Sequence, residues 1–232
     1  AKLMIYFQGG GACWDAFTCA SVGQFASQYD VSSTETSFYQ AGYFDFDNPN
    51  NPVSDYNMVF LPYCTGDIYS GDNVVTYAVP EAVESDAEEL TINYNGFDNA
   101  QAVLDWVYAN FAAPEQVFVT GCSAGGYGAT THAPFIMQNY ADVPVVHLAD
   151  SATGVNRLDW EGLLTWNLYE NLPAFVEDMA DVEHGEFSTS LQFTTTSAAF
   201  PDNIMAQYNT FLDGVQVGFY GLTALGTPVD EN

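Results

Sequence analysis

The sequence predicts an α/β fold, with a mostly parallel central sheet and helices on both faces, in one domain over residues 1–232. Three observations carry this expectation. The short runs "KLMIYFQ", "YNMVFLPYC", "QVFVT" and "VPVVHLAD" are apolar without polar alternation, as strands buried on both faces read. Stretches of helical period alternate with the later runs, the pattern of a sheet covered by helices. Glycine, proline and polar turns close the runs.

Taken in order, "KLMIYFQ" is a strand ended by the glycine loop "GGGACW". Residues 15–50 mix aromatics with Ser, Asp and Asn and end in a loop. "YNMVFLPYC" is the second strand, followed by the turn "TGDIYSGD", and residues 72–92 include "PEAVESDAEEL", an acidic excursion expected on the surface. Ala100, Val103, Leu104, Val107 and Phe111 recur at helical spacing and give one amphipathic helix. "QVFVT" is a strand, "GCSAGG" a turn, and a helix then runs to about Tyr140 before the strand "VPVVHLAD". Beyond it, "LDWEGLLTWNLYENLPAFVEDM" reads as helical, "LQFTTTS" as β-rich and "NIMAQYNTFL" as a further helix. Trp160, Trp166 and Tyr169 in the first of these suit core or lid packing better than a sugar-binding platform.

Hydrophobic residues make up 48% of the 232, enough for a substantial core, yet 30 Asp and Glu face only Lys2 and Arg157 for a net charge of −28. Such a chain repels nucleic acid, because nothing basic displaces the phosphate counterions. Self-repulsion also opposes compaction until ions screen it, so adaptation to a saline medium is expected. No run reaches the roughly 20 apolar residues of a membrane span. Cys13, Cys19, Cys64 and Cys122 contain no C-x-x-C pair, which argues against a zinc ribbon. Cys13 and Cys19 lie at a spacing that a local disulfide can close, a pairing that secretion favours and a reducing cytosol would leave as thiols. Cys64 and Cys122 each follow an apolar run and are either close in space or free buried thiols.

Gly121, Ser123 and Gly125 form G-x-S-x-G between a strand and a helix. In that setting the pattern reads as a nucleophile elbow, a strained turn that lifts the serine hydroxyl to the carboxyl edge of a sheet. The N-terminus of the next helix there favours an oxyanion. Acyl transfer also needs backbone donors aimed at that oxygen. Ala124 supplies one, and the loop "FQGGGACWD" supplies others at Gly10 and Gly11, where the chain approaches substrate without Cβ atoms.

In order along the chain, "YFQGGGACWD", "LPYCTGDIYSGD", "NYNGFDNAQAVLDWVY", "VFVTGCSAGGYGA" and "HLADSATG" together resemble the pectin acetylesterase/Notum family of serine carboxylesterases. The resemblance is strong from Lys2 to about Asp150 and looser to about Leu212. It implies an α/β-hydrolase fold, a Ser-Asp-His triad, no metal or other cofactor, and extracytoplasmic hydrolysis of O-acyl esters. It further implies Ser123 as nucleophile, Gly10, Gly11 and Ala124 as oxyanion donors, and a Cys13–Cys19 disulfide. For the acid, "TTSAAFPDNIMAQY" nominates Asp202, with one residue more than the family pattern; Asp150 is the alternative. Trp14, just after the glycine loop, is expected either to wall the acyl pocket or simply to pack, and Asp67 and Asp72 to organise their loop.

The histidines depart from this pattern. In this fold the order is Ser, acid, His, and none follows Asp202. His132 lies nine residues past Ser123 on the same helix, roughly 900° of rotation, and faces away. His147 sits in a strand and His184 in the acidic loop "DVEHGEF". A fragment lacking the first strands and the last strand with its histidine loop is the expected explanation. The predicted substrate is the O-acetyl ester of an acylated polysaccharide. Its rivals are a lipid or polyester acyl ester, and a catalytically inactive binding or surface-assembly protein.

Overall fold

The computed structural model describes residues 1–22, 41–79, 88–155 and 157–225. Strands β1 (Leu3–Phe7), β2 (Asn57–Leu61), β5 (Val117–Cys122), β6 (Val145–Asp150) and β7 (Ile204–Tyr208) form one sheet in the order β2-β1-β5-β6-β7. Every pairing in it is parallel. β3 (Asn73–Ala78) and β4 (Glu89–Tyr94) pair antiparallel as a separate ribbon. The longer helices are α2 (Gly96–Asn110), α3 (Ala124–Asn139), α5 (Thr189–Ala199) and α6 (Gly214–Leu225); α1 (Ala16–Val22) and α4 (Gly162–Thr165) are short. Among the described residues no helix is long and apolar enough to cross a membrane.

The pleat of β1 explains its unbroken apolar run. Leu3, Ile5 and Phe7 pack with Leu104 and Val107 of α2 and Ala133, Ile136 and Met137 of α3. Met4 points the other way, toward Val53 and Phe118. Each fully buried Leu, Ile or Phe stabilises the fold by about 1.5–3 kcal/mol. Beyond the carboxyl edge lies a second aromatic core of Trp14, Tyr94, Trp160, Trp166 and Phe187. There Trp160 stands edge-on to both Trp14 and Trp166, at 4.8 and 5.1 Å between ring centres.

The late elements correct the sequence reading. The β-rich expectation for 191–197 falls inside helix α5. Ser188 caps that helix by accepting the Leu191 N–H, and the Thr194 and Thr195 hydroxyls donate back to carbonyls three and four residues earlier. The helix expected at 203–212 is instead strand β7 and its following loop. Residues 158–179 break into α4 and the 3-10 turns Leu168–Asn171 and Glu177–Met179. Residues 72–92 include the β3–β4 ribbon, and their acidic centre, 80–87, lies outside the described residues.

Candidate active site

Ser123 follows the last residue of β5 and precedes α3, with φ 57° and ψ −125°. Its N–H donates to the Asp150 carbonyl at 2.9 Å, and its own carbonyl accepts from Gly126 and Tyr127. A non-glycine residue at positive φ is strained by about 1–3 kcal/mol and persists only where its surroundings fix it. The motif glycines are what let them do so. A Cβ on Gly125 would stand 2.0 Å from the Phe7 carbonyl oxygen, and one on Gly121 would stand 2.3 Å from the Gly125 oxygen. The turn is therefore as tight against β1 as a backbone can be.

The glycine loop that follows β1 lies against this turn, with Gly11 at φ 84°. Among the described residues, the amides of Gly9, Gly10, Gly11, Ala12 and Ala124 have no hydrogen-bond acceptor. Unpaired donors beside a helix N-terminus have the chemistry to hold an anionic oxygen. Gly11, Ala12, Ser123 and Ala124 line one cavity together with Trp14, and Trp160, Trp166, Phe187 and Phe219 extend its aromatic walls. Gly10 lies on the exposed side of the loop, over the Tyr63 ring.

Asp202 is not part of this site. It is an exposed turn residue ahead of β7, and the neighbouring Asn203 side chain accepts from the Val145 N–H at the start of β6. Because β7 runs parallel to β6 and so to β5, Asp202 sits at the amino edge and Ser123 at the carboxyl edge, roughly 23 Å further along at 3.3 Å per residue. Asp150 does reach the carboxyl edge and accepts from the Ser151 hydroxyl at 2.9 Å. So does Asp213, in the loop leaving β7, which the sequence reading missed. Its Oδ1 accepts the Val215 and Gln216 N–H groups at 3.0 Å, and its Oδ2 accepts from the Gln216 side chain at 3.4 Å. The Gln216 backbone N–H, foremost, holds its pKa below the usual carboxylate value. Gln216 lines the cavity, and its side chain also accepts from Tyr127. The half-buried Cys122 thiol has a raised pKa, first from burial, with the charges of Asp150 and Asp213 adding to it.

None of the three histidines attends Ser123. His132 is fully buried, stacked between Phe7 and Phe97. Its Nε2 donates to the Tyr69 carbonyl, so its Nδ1 accepts from Gln101, and burial lowers its pKa to about 4. His147, buried and lowered to about 3, meets the Thr130 hydroxyl and the Phe193 ring. His184 is exposed beside Tyr169. Cys13 and Cys19 are disulfide-bonded, with Cα atoms 4.8 Å apart, whereas Cys64 and Cys122 are free and half-buried.

A parallel sheet whose central strand ends in a strained serine before a helix is the α/β-hydrolase type of fold. A pectinacetylesterase family profile matches residues 1–216, and the chain belongs to that family of carboxylic ester hydrolases. It is 30% identical over 133 residues to the palmitoleoyl-protein carboxylesterase NOTUM of Schmidtea mediterranea. That match takes in 55% of this chain but only 23% of the relative's length. Two crystal forms of the Wnt deacylase Notum from Drosophila superpose with TM-scores of 0.59 and 0.58, at 17% and 16% identity. Each superposition covers 99% of this chain and 67% of that one, and at this identity the likeness bears on the fold alone.

Proposed function

We propose that the protein is a serine carboxylesterase that cleaves O-acyl esters, with the O-acetyl ester of a polysaccharide as its substrate. The observation that supports this reading best is the strained Ser123 turn sharing one cavity with the unpaired amides of Gly11, Ala12 and Ala124. In the reaction, the Ser123 oxygen attacks the acyl carbon, and the developing oxyanion takes hydrogen bonds from the Ala124 and glycine-loop amides. The sugar hydroxyl leaves, and water releases the acyl group from Ser123. Asp213, held at the carboxyl edge, is the proposed acid in place of Asp202. The reaction also needs an imidazole that these 232 residues do not bring to Ser123.

Two observations favour other readings. The aromatic cavity, walled by Trp14, Trp160 and Phe219, suits an acyl chain longer than acetyl. The distance of every histidine from Ser123 favours a binding protein that turns nothing over. One experiment separates the three: the intact gene product is given p-nitrophenyl acetate, p-nitrophenyl palmitate and a fluorophosphonate probe. The acetylesterase reading expects labelling of Ser123 and about tenfold or greater preference for acetate. Preference for palmitate would assign a lipid ester, and absence of both labelling and turnover would assign a binding role.

The charge supports secretion into a saline medium. The ion pairs among the described residues are Lys2–Asp55, Arg157–Asp159 and the N-terminus with Glu115, all at the surface, and the net −28 that remains after both basic side chains are counted is left to counterions. Raising KCl from 0.05 to 2 M is expected to lift Tm by about 10 °C, equivalent to about 3 kcal/mol. Thermal melts across the salt series test this, and a Tm indifferent to salt would refute it.

A further inference from the structure

The glycine loop has no secondary structure of its own to hold its amides in place, and its carbonyls show what does. The Tyr63 hydroxyl accepts from the Ile68 N–H at 2.8 Å, which commits its proton to the Gly11 carbonyl at 2.9 Å. The Tyr69 hydroxyl reaches the Gln8 and Leu61 carbonyls at 2.9 and 3.0 Å. Backbone bonds tie the loop at both ends, from Gln8 N to Leu61 O and from Cys13 N to Gly66 O, and the Gln8 side chain accepts from Tyr63 N. The Tyr63 ring also lies against Gly10, where a Cβ would stand 2.7 Å from it.

A trans peptide points its C=O and N–H in opposite directions. Drawing the Gly11 carbonyl toward Tyr63 therefore turns the Ala12 N–H the other way, and Ala12 lines the cavity with Ser123. The tyrosines themselves sit on an uncommon support. Ile68 and Tyr69 are both left-handed, at φ 51° and 64°, a conformation that a β-branched residue rarely adopts. The fully buried Asp67 braces them, accepting from Tyr69 N and the Thr65 hydroxyl on one oxygen and from Gly96 N, at the start of α2, on the other.

We propose that Tyr63 and Tyr69 are positioning residues that aim the glycine-loop amides at the acyl oxygen. This rests on Ser123 being the nucleophile, and the test keeps the two claims apart. Tyr63→Phe and Tyr69→Phe in the intact gene product keep the rings and remove only the hydroxyls. Each is expected to lower kcat on p-nitrophenyl acetate about 10- to 100-fold, part of the effect of losing an oxyanion donor, with KM within about twofold. Inhibition by a trifluoromethyl ketone, which presents an oxyanion, should weaken in parallel. Exchange of the Gln8 and Cys13 amides, which are bonded to the Leu61 and Gly66 carbonyls at the two ends of the loop, should quicken about tenfold or more as the loop opens. Unchanged exchange in both variants overturns the proposal whatever the kinetics do, as does a raised KM at constant kcat. If the wild type turns over nothing, or Ser123→Ala is as active as wild type, the nucleophile reading falls, and exchange alone then decides the clamp.

Discussion

Ser123→Ala is expected to reduce ester hydrolysis by the intact gene product by about 10⁶-fold, to the level left by the oxyanion donors and binding. The fold should survive, because alanine endures the same strained backbone and the hydroxyl is not a structural partner of any described residue. Ser123→Gly should be equally inactive but about 1 kcal/mol more stable, since glycine relieves a conformation that costs a serine about 1–3 kcal/mol. Loss of activity together with a gain in stability would mark strain held for chemistry rather than for folding. Hydrolysis rates and thermal melts of the two variants test this. A residual rate within tenfold of wild type in either would remove Ser123 from the reaction.

Much of this arrangement was legible in the chain because burial on both faces leaves a simple trace. β1, β2, β5 and β6 are apolar runs bounded by glycine, proline or polar residues, and each became a strand of the parallel sheet. The serine turn was legible for a related reason, since only small residues fit where backbone presses on backbone at Gly121 and Gly125. The chain after residue 190 misled. Ile204, Tyr208, Phe211 and Leu212 recur at helical spacing, yet they are 58%, 62%, 100% and 85% exposed. Their period therefore records no buried helix face. β7 is held instead by its ladder to β6, at the end of the strand order, where among the described residues one side has no partner strand to impose a pattern. The threonines at 194–196 favour strands by propensity. In α5 their hydroxyls are satisfied by helix carbonyls or turned inward, so tertiary packing overrode the local preference. The clamp tyrosines carried no signal either, because it depends on carbonyls more than fifty residues away.

That misreading also bears on the proposed acid. With 203–212 taken as a helix, the turn before it was the natural place for a carboxylate. With β7 a parallel strand, its carboxyl edge falls after Tyr208, ahead of Asp213. Asp213→Asn is accordingly expected to lower kcat about 10⁴-fold, the scale on which an imidazole loses its correct tautomer and orientation. Asp202→Asn, at the opposite edge, should leave kcat within twofold. Asparagine still accepts the Val215 and Gln216 amides, so the cap on α6 and the thermal stability should largely persist. The pH profile adds a second criterion. The Gln216 amide lowers the Asp213 pKa, so the carboxylate stays ionised below the usual range. Its contribution is present above the unfolded value and is lost only as pH falls through the lowered one. Activity of the wild type should thus fall on the acid side with the protonation of imidazole rather than of Asp213. Steady-state rates of the two variants on p-nitrophenyl acetate decide between the carboxylates. A large loss in Asp150→Asn with little in Asp213→Asn would move the acid to the end of β6, where the Ser151 hydroxyl already donates to it.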